Sequence, residues 1–398
     1  MLMGILLHAG VMYLPMPYGQ DPMAILDDPR DPYRDIDGYS TTVQRIVFTI
    51  HFFRMPAFML LAGFFGAMIL KRRGEGHFLK NRFSRILAPL VLFWFLIWPL
   101  DNFGWNFGAS MMLDEYSEKT VLEHIKMAFS FDILPFLGHR QPHTMHLWFI
   151  YQLVYFYALT CVLHRVAETC FGDFFSKLHR SFLKLGSSTY RWVFLFFVMT
   201  LTWIILSMNS TFHFDVSFDW IPDFHIPLAY YQFFLVGWIV YFFPKIIEFA
   251  KRNAVVFSLF ALILTTLQIV FVENTWPLEI AYHAEGIVSD QYHNLRNATL
   301  CIQSANVWIM ALALVGLSEK LITKSSPILT FLVGASYWLY LIHRPLCVFF
   351  AALFQRWLAP GFLKYSLICL IVTTICLLTY QLFVRRSYIG ILLNGKRY

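Results

Sequence analysis

The chain has 398 residues, of which 58% are hydrophobic and only 14% charged, with a formal net charge of +7. A soluble globular protein carries about 25% charged residues, so this composition, with a mean hydropathy of +0.57, excludes an ordinary soluble enzyme. The Lys and Arg residues are spread through short loops instead of lining one face, which argues against nucleic-acid binding and makes them topology signals.

A helix needs roughly 20 apolar residues to cross a bilayer. Ten apolar segments stand out, near residues 1–16, 46–70, 86–103, 146–164, 192–208, 226–243, 254–272, 299–317, 329–352 and 364–384. They predict an all-α, polytopic integral membrane protein of about ten transmembrane helices, built as a single membrane domain over residues 1–398. The first segment, MLMGILLHAGVMYLPM, gives about 24 Å of helix, short of a roughly 30 Å hydrocarbon core. It reads as a first span lacking its cytoplasmic end, with Met1 an internal start.

The connecting segments alternate in charge. Lys71, Arg72, Arg73, Lys80, Arg82 and Arg85 follow the second span against one acid, Glu75. Arg165, Lys177, Arg180, Lys184 and Arg191 follow the fourth, and Arg385 and Arg386 the tenth. The opposite loops are poorer in positive charge: 209–225 has no Lys or Arg, and 17–42 is rich in Asp, Pro and Gly and reads as irregular coil. The positive-inside rule therefore places both termini in the cytoplasm. Within 104–143, the stretch DEYSEKTVLEHIKMAF predicts an amphipathic helix at the interface.

Ionisable groups inside a span are costly and are functional candidates by default. His8 sits in the first span, where a neutral imidazole can take a hydroxyl proton and pass it to a leaving group. Arg54, one turn after His51, lies near the outer end of the second span; the pair binds an acid or a glycan hydroxyl, or Arg54 snorkels to the headgroups. Arg82 and Arg85 stand three apart at the mouth of the third, a spacing that suits a two-arginine phosphate clamp as well as plain topology signalling. His343-Arg344-Pro345 interrupts the ninth span; the proline frees a backbone carbonyl, and the stretch reads as a cavity wall. His146 opens the fourth span, anchoring it or lining an entrance; His143-x-x-His146 has no companion ligands and does not make a zinc site. The six cysteines show no CxxC spacing.

The stretches MLMGILLHAG, FRMPAFMLLAGFFGAMIL, RFSRILAPL, HLWFIYQLV, YYQFFLVGWIVYFFP, SYWLYLIHRPL and ILLNGK, taken in order, resemble the acyltransferase-3 family of integral membrane acyltransferases, and within it a branch that succinylates periplasmic glucans. The resemblance implies O-acyl transfer from a cytoplasmic acyl-CoA, succinyl-CoA in that branch, to a periplasmic glucan or other polysaccharide, in a bacterial inner membrane. It implies acyl-CoA as co-substrate with no resident cofactor, His8 as general base, and Arg82 and Arg85 at the donor. His343, Arg344, Arg54 and His146 are further expected substrate-binding groups, with Arg54 or Arg344 pairing with the free carboxylate of a succinyl donor. The family's arginine about three turns before its first-span histidine would fall before Met1, and Ala62-Gly63-Phe64 stands where relatives often carry Ser-Gly-Phe. The rival readings are an acetyltransferase of another envelope polysaccharide and a glycan or lipid transporter without chemistry; a transporter's paired broken helices do not show here.

Overall fold

A computed structural model describes residues 1–14, 35, 38–112, 114–130, 143–183, 188–209, 211–285 and 289–395. Most of the loop 17–42 and the end of the 104–143 connection lie outside the described residues. Among the described residues the chain is all helical, with no strand.

The helices are α1 (Leu2–Gly10), α2 (Thr41–Arg82), α3 (Ala88–Met112), α4 (Val121–Ser130), α5 (Trp148–Leu183), α6 (Ser188–Ser207), α7 (His225–Phe242), α8 (Pro244–Arg252), α9 (Ala254–Glu285), α10 (Asp290–Leu321), α11 (Pro327–Phe354), α12 (Gly361–Thr379) and α13 (Tyr388–Asn394). Among the described residues, eight stretches are long and apolar enough to cross a membrane. One of them, Thr41–Met111, has 71 residues, more than 100 Å of helix at ~1.5 Å per residue. That is over three times a bilayer core, so it holds two crossings. The break falls in KRRGEG, where Gly74 adopts φ 77° and ψ 169°, a conformation open to glycine and strained for other residues. Every apolar segment read from the sequence falls on one of these stretches or on the short apolar helix Leu2–Tyr13.

Several expected loops are helical instead. Residues 75–82 continue α2, α9 runs on to Glu285 and α10 begins at Asp290, so the segment 273–298, expected as a loop, is largely helical. Hydropathy marks where apolar composition stops, whereas a helix continues as long as its backbone bonds and propensities allow. The expected first span 1–16 shortens to nine α-helical residues and a 3₁₀ turn, Val11–Tyr13. The amphipathic helix expected within 104–143 is present as α4.

α1 packs against α2, α11 and α12, with Gly4, Ile5, Leu7, Ala9 and Gly10 buried. The buried face of this short helix, with Gly4, Ala9 and Gly10, packs inside the bundle, while Leu2 and Met3 at its start stay exposed. α2 and α7 cross in close contact, as a pair of glycines dictates. A Cβ on Gly63 would overlap the Phe234 carbonyl oxygen, and one on Gly237 would overlap the Leu60 carbonyl oxygen. Without a hydrophobic drive between helices in lipid, backbone approach at small residues supplies packing energy. Gly63→Ala is expected to force the two helices apart at a cost of about 1–3 kcal/mol or more. The readout is the thermal midpoint of the detergent-solubilised protein. Gly76→Ala is the control, because a Cβ there meets nothing; its midpoint should hold or rise, and equal effects from the two substitutions would refute the argument.

Buried ion pairs between distant helices and loops tie the bundle. Lys364 Nζ lies 2.7 Å from Asp35 Oδ2, and both side chains are nearly inaccessible. Arg344 Nη1 lies 3.1 Å from Asp101, joining α11 to α3. A charge in an apolar interior is retained only when paired and hydrogen-bonded.

Candidate active site

α11 organises the site. Pro345 has no N–H to bond the carbonyl four residues back, which leaves the Leu341 oxygen without its helical donor. His146, on the 3₁₀ turn that leads into α5, fills that vacancy: its Nε2 donates to Leu341 O at 3.0 Å. The Tyr340 hydroxyl in turn donates to the His146 carbonyl. The expectation that Pro345 would free a carbonyl is therefore realised, and the helix stays continuous through it.

Two residues before the proline, His343 is 3% exposed. Its Nδ1 lies 2.9 Å from Leu339 O and 2.8 Å from Tyr340 O. Both neighbours only accept, so Nδ1 carries the proton and Nε2 of the neutral ring is a lone pair. Among the described residues that Nε2 has no hydrogen-bond partner, and neither does His146 Nδ1. The ring of His343 is 5.2 Å from that of His8 and 5.5 Å from that of His146, measured between centroids.

The three imidazoles face one cavity of about 120 Å³, with His8 and Gly4 on α1, His51 and Arg54 on α2, and Tyr340 and His343 on α11. Trp148 and Phe149 of α5 complete the apolar wall, and Val216 and Phe218, from the segment joining α6 and α7, also line it. Among the described residues, Arg54 is the one permanently charged side chain in this lining.

The segment that carries Val216 and Phe218 is pinned on both flanks. Thr144 donates through its backbone N and its hydroxyl to Phe218 O, each at 2.7 Å, and the Tyr151 hydroxyl donates to Trp220 O at 2.7 Å. Upstream, Thr211 donates to Asp215 at 2.5 Å, and His213 Nδ1 lies 3.2 Å from the same carboxylate. Burial opposes a charge on His213, yet its hydrogen bond to Asp215 and the ion pair outweigh burial and raise its pKa. Asp215 is likewise pushed up by burial, and the same bond and charge hold it below the usual carboxylate range. The two therefore stand as an ion pair between the lowered pKa of one and the raised pKa of the other. The His213 ring contacts that of His51 at 5.8 Å, which links this segment to the cavity wall.

Of the residues singled out from the sequence, His8, Arg54, His146 and His343 come together at this cavity. Arg344 does not line it: the guanidinium bonds Asp101 and lies 5.7 Å over the Phe218 ring, behind the wall. Arg82 and Arg85 stand apart from it, at the other end of α2, and part company across a π-helical turn, Phe83–Leu87. Arg82 donates to the Tyr157 hydroxyl at 2.9 Å and to Asn81 at 2.7 Å. Arg85 donates to the carbonyls of Ile391 and Leu392, so its cation caps the C-terminus of α13. Gly395, at φ 84°, ends that helix and leaves room for the guanidinium. His51, noted in the sequence as Arg54's neighbour one turn away, lines the cavity with it. Tyr340, Val216 and Phe218 were not singled out, and they carry no local signal.

The sequence pattern of the acyltransferase domain family matches residues 1–381. Among curated proteins, glucans biosynthesis protein C of Salmonella typhi is 22% identical over 357 residues, 87% of this chain and 83% of the relative. The proteins of that name from Salmonella typhimurium and Salmonella paratyphi B match over the same extent at the same identity. No solved structure matches. A family match over nearly the whole chain, on an all-helical bundle with four of its histidines lining one cavity, makes this protein a multi-pass membrane acyltransferase of the acyltransferase-3 family.

Proposed function

We propose that the protein moves a succinyl group from a cytoplasmic acyl-CoA to a hydroxyl of a periplasmic glucan, across the inner membrane, with His8 as the general base. The observation that carries this reading is the placement of His8. Its ring lines an interior cavity, one side of which is closed by the segment between α6 and α7. On the charge-asymmetry argument that segment lies outside the cytoplasm.

The donor side rests on α11. The Tyr337 hydroxyl donates to the Arg85 carbonyl at 3.2 Å. His343 follows six residues later, about 9 Å farther along the helix axis. One helix, α11, thus has Tyr337 at the arginine corner and His343 in the cavity lining. Among the described residues the buried Arg82 Nε has no hydrogen-bond partner, so a phosphate oxygen brought into that corner would meet an unspent donor.

In the reaction, the acceptor oxygen attacks the thioester carbonyl while His8 takes the hydroxyl proton. The carbon–sulfur bond breaks as the ester bond forms, and His8 returns the proton to the departing thiolate. No net proton is released. Arg54 supplies positive charge inside the lining, suited to the developing oxyanion or to the free carboxylate of a succinyl donor. The relatives' name, glucans biosynthesis protein C, supports a glucan as acceptor.

The test is mass spectrometry of envelope glycans from cells with and without the gene. A succinyl increment that disappears on deletion and returns with the wild-type gene is expected. An acetyl increment instead would replace the donor assignment. Unchanged glycans across the envelope would remove the reading.

A further inference from the structure

We propose that His343 is the positioning residue for His8: its Nε2 lone pair accepts a hydrogen bond from one N–H of His8 and thereby turns the other His8 nitrogen, bare, toward the acceptor hydroxyl. This rests on the reading of His8 as base. Two carbonyls, Leu339 O and Tyr340 O, hold the Nδ1 proton of His343. Nε2 is thereby fixed as an acceptor, and it is buried with no partner among the described residues. A buried acceptor left unmet costs about 1–3 kcal/mol, so the site holds a standing preference for a donor at that point.

The donor at hand is His8. Its ring centre is 5.2 Å from that of His343, tilted by 54°. At that separation, a rotation that faces one nitrogen toward the other brings them within the ~3 Å reach of a hydrogen bond. Unlike His343 and His146, His8 makes no hydrogen bond among the described residues that would choose its tautomer. His343 is therefore placed to choose it. Catalytic hydrogen bonds commonly tighten only when substrate arrives.

Gly4 makes the approach possible. It stands one turn before His8 on the same face of α1, and a Cβ there would lie 3.1 Å from His343 Nε2. Any side chain at that position would cover the lone pair. His343 resembles the orienting member of a nucleophile–base–orienter triad, with a backbone-locked imidazole in place of a carboxylate. It exchanges no proton: the hydroxyl proton passes to His8 and then to the thiolate sulfur, while the His343 Nδ1 proton stays on its two carbonyls.

The test uses full-length protein in lipid vesicles, labelled with ¹⁵N-histidine, with difference spectra against His8→Gln and His343→Leu assigning the two rings. In wild type, His343 should show a protonated Nδ1 and a bare Nε2, and His8 a single tautomer. In His343→Leu, His8 should become a mixture of both tautomers. In His343→Gln, whose side-chain carbonyl can accept, the single tautomer should persist. Gly4→Ala leaves both histidines in place and should also produce the mixture, which covers the case where His343→Leu does not fold. Turnover measured as free thiol from succinyl-CoA with a gluco-oligosaccharide should fall about 10²-fold in His343→Leu with KM for succinyl-CoA unchanged. His343→Gln should retain most of it.

A His8 signature that ignores both His343→Leu and Gly4→Ala overturns the proposal, as does a protonated Nε2 on His343 in wild type. His343→Gln as inactive as His8→Ala would make His343 a reacting base and overturn it too. The tautomer signature needs no substrate. If His8→Ala retained transfer while the signature held, the base assignment would fail and the pairing would stand.

Discussion

His8→Ala is expected to insert and fold like wild type and to lose acyl transfer, with turnover down by about 10²–10⁴-fold, the usual contribution of a positioned acid–base group. The substitution removes a side chain that borders open cavity space, and among the described residues it breaks no hydrogen bond, so stability should change little. The rings of His343 and His146 are not free to turn into the place of His8. His343 Nδ1 and His146 Nε2 are committed to carbonyls of α11. Each offers one bare nitrogen whose direction the backbone has already set. The assay is thiol release from succinyl-CoA by purified protein with a gluco-oligosaccharide as acceptor, with protein quality followed by gel filtration. Full turnover in a folded His8→Ala protein would remove His8 from the mechanism.

The residue behind that expectation is legible in the amino-acid sequence alone. A histidine among Leu, Ile, Ala and Gly in an apolar segment is costly to bury, and the cost marks it. The same rule flags Arg54, His146 and His343, and all four meet at the cavity. The rule finds costly residues without saying what offsets the cost. Arg344 is flagged alongside them, yet its charge is met by Asp101, 243 residues away in sequence. Nothing local in either segment announces that pairing. Asp101 reads in the sequence as the polar end of a span. Lys364 and Asp35 are hidden in the same way: a lysine at the start of the last long apolar run and an acid in a Pro- and Gly-rich loop find each other only in the folded bundle.

The arginine pair shows a different limit. Spacing of three predicts a shared helix face, and it does so on the assumption of regular α-helix. Here a π-helical turn spans Phe83–Leu87 and re-aims Arg85 toward α13, while Arg82 turns to Tyr157. The helices themselves are well marked because each carries a long apolar run. Their ends are not, since polar helix formers such as those in HFLKNR extend a helix without extending its hydropathy. The segment that lines the cavity through Val216 and Phe218 has no periodic signal at all; its place is fixed by bonds to Thr144 and Tyr151, on the turn and helix that precede it.

The largest structural effect is expected at the Arg344–Asp101 pair. Asp101→Ala leaves a guanidinium in an apolar interior without its carboxylate, a loss of about 3–5 kcal/mol in comparable buried pairs. For a membrane bundle this should appear as a collapse in monodisperse yield and a sharply lower thermal midpoint. Removing the charge as well should reverse most of it, because a buried ion pair replaced by apolar side chains of similar volume is often neutral or stabilising. Asp101→Ala with Arg344→Met is therefore expected to fold. It should still transfer acyl groups less well than wild type. Arg344 also lies over Phe218, which lines the cavity, so the pair ties α3 and α11 to the segment bordering His8. Recovery of folding without full recovery of turnover would assign the pair to holding the cavity wall. Full recovery of both would reduce it to mutual charge neutralisation, and an Asp101→Ala protein as stable as wild type would show that Arg344 is compensated elsewhere.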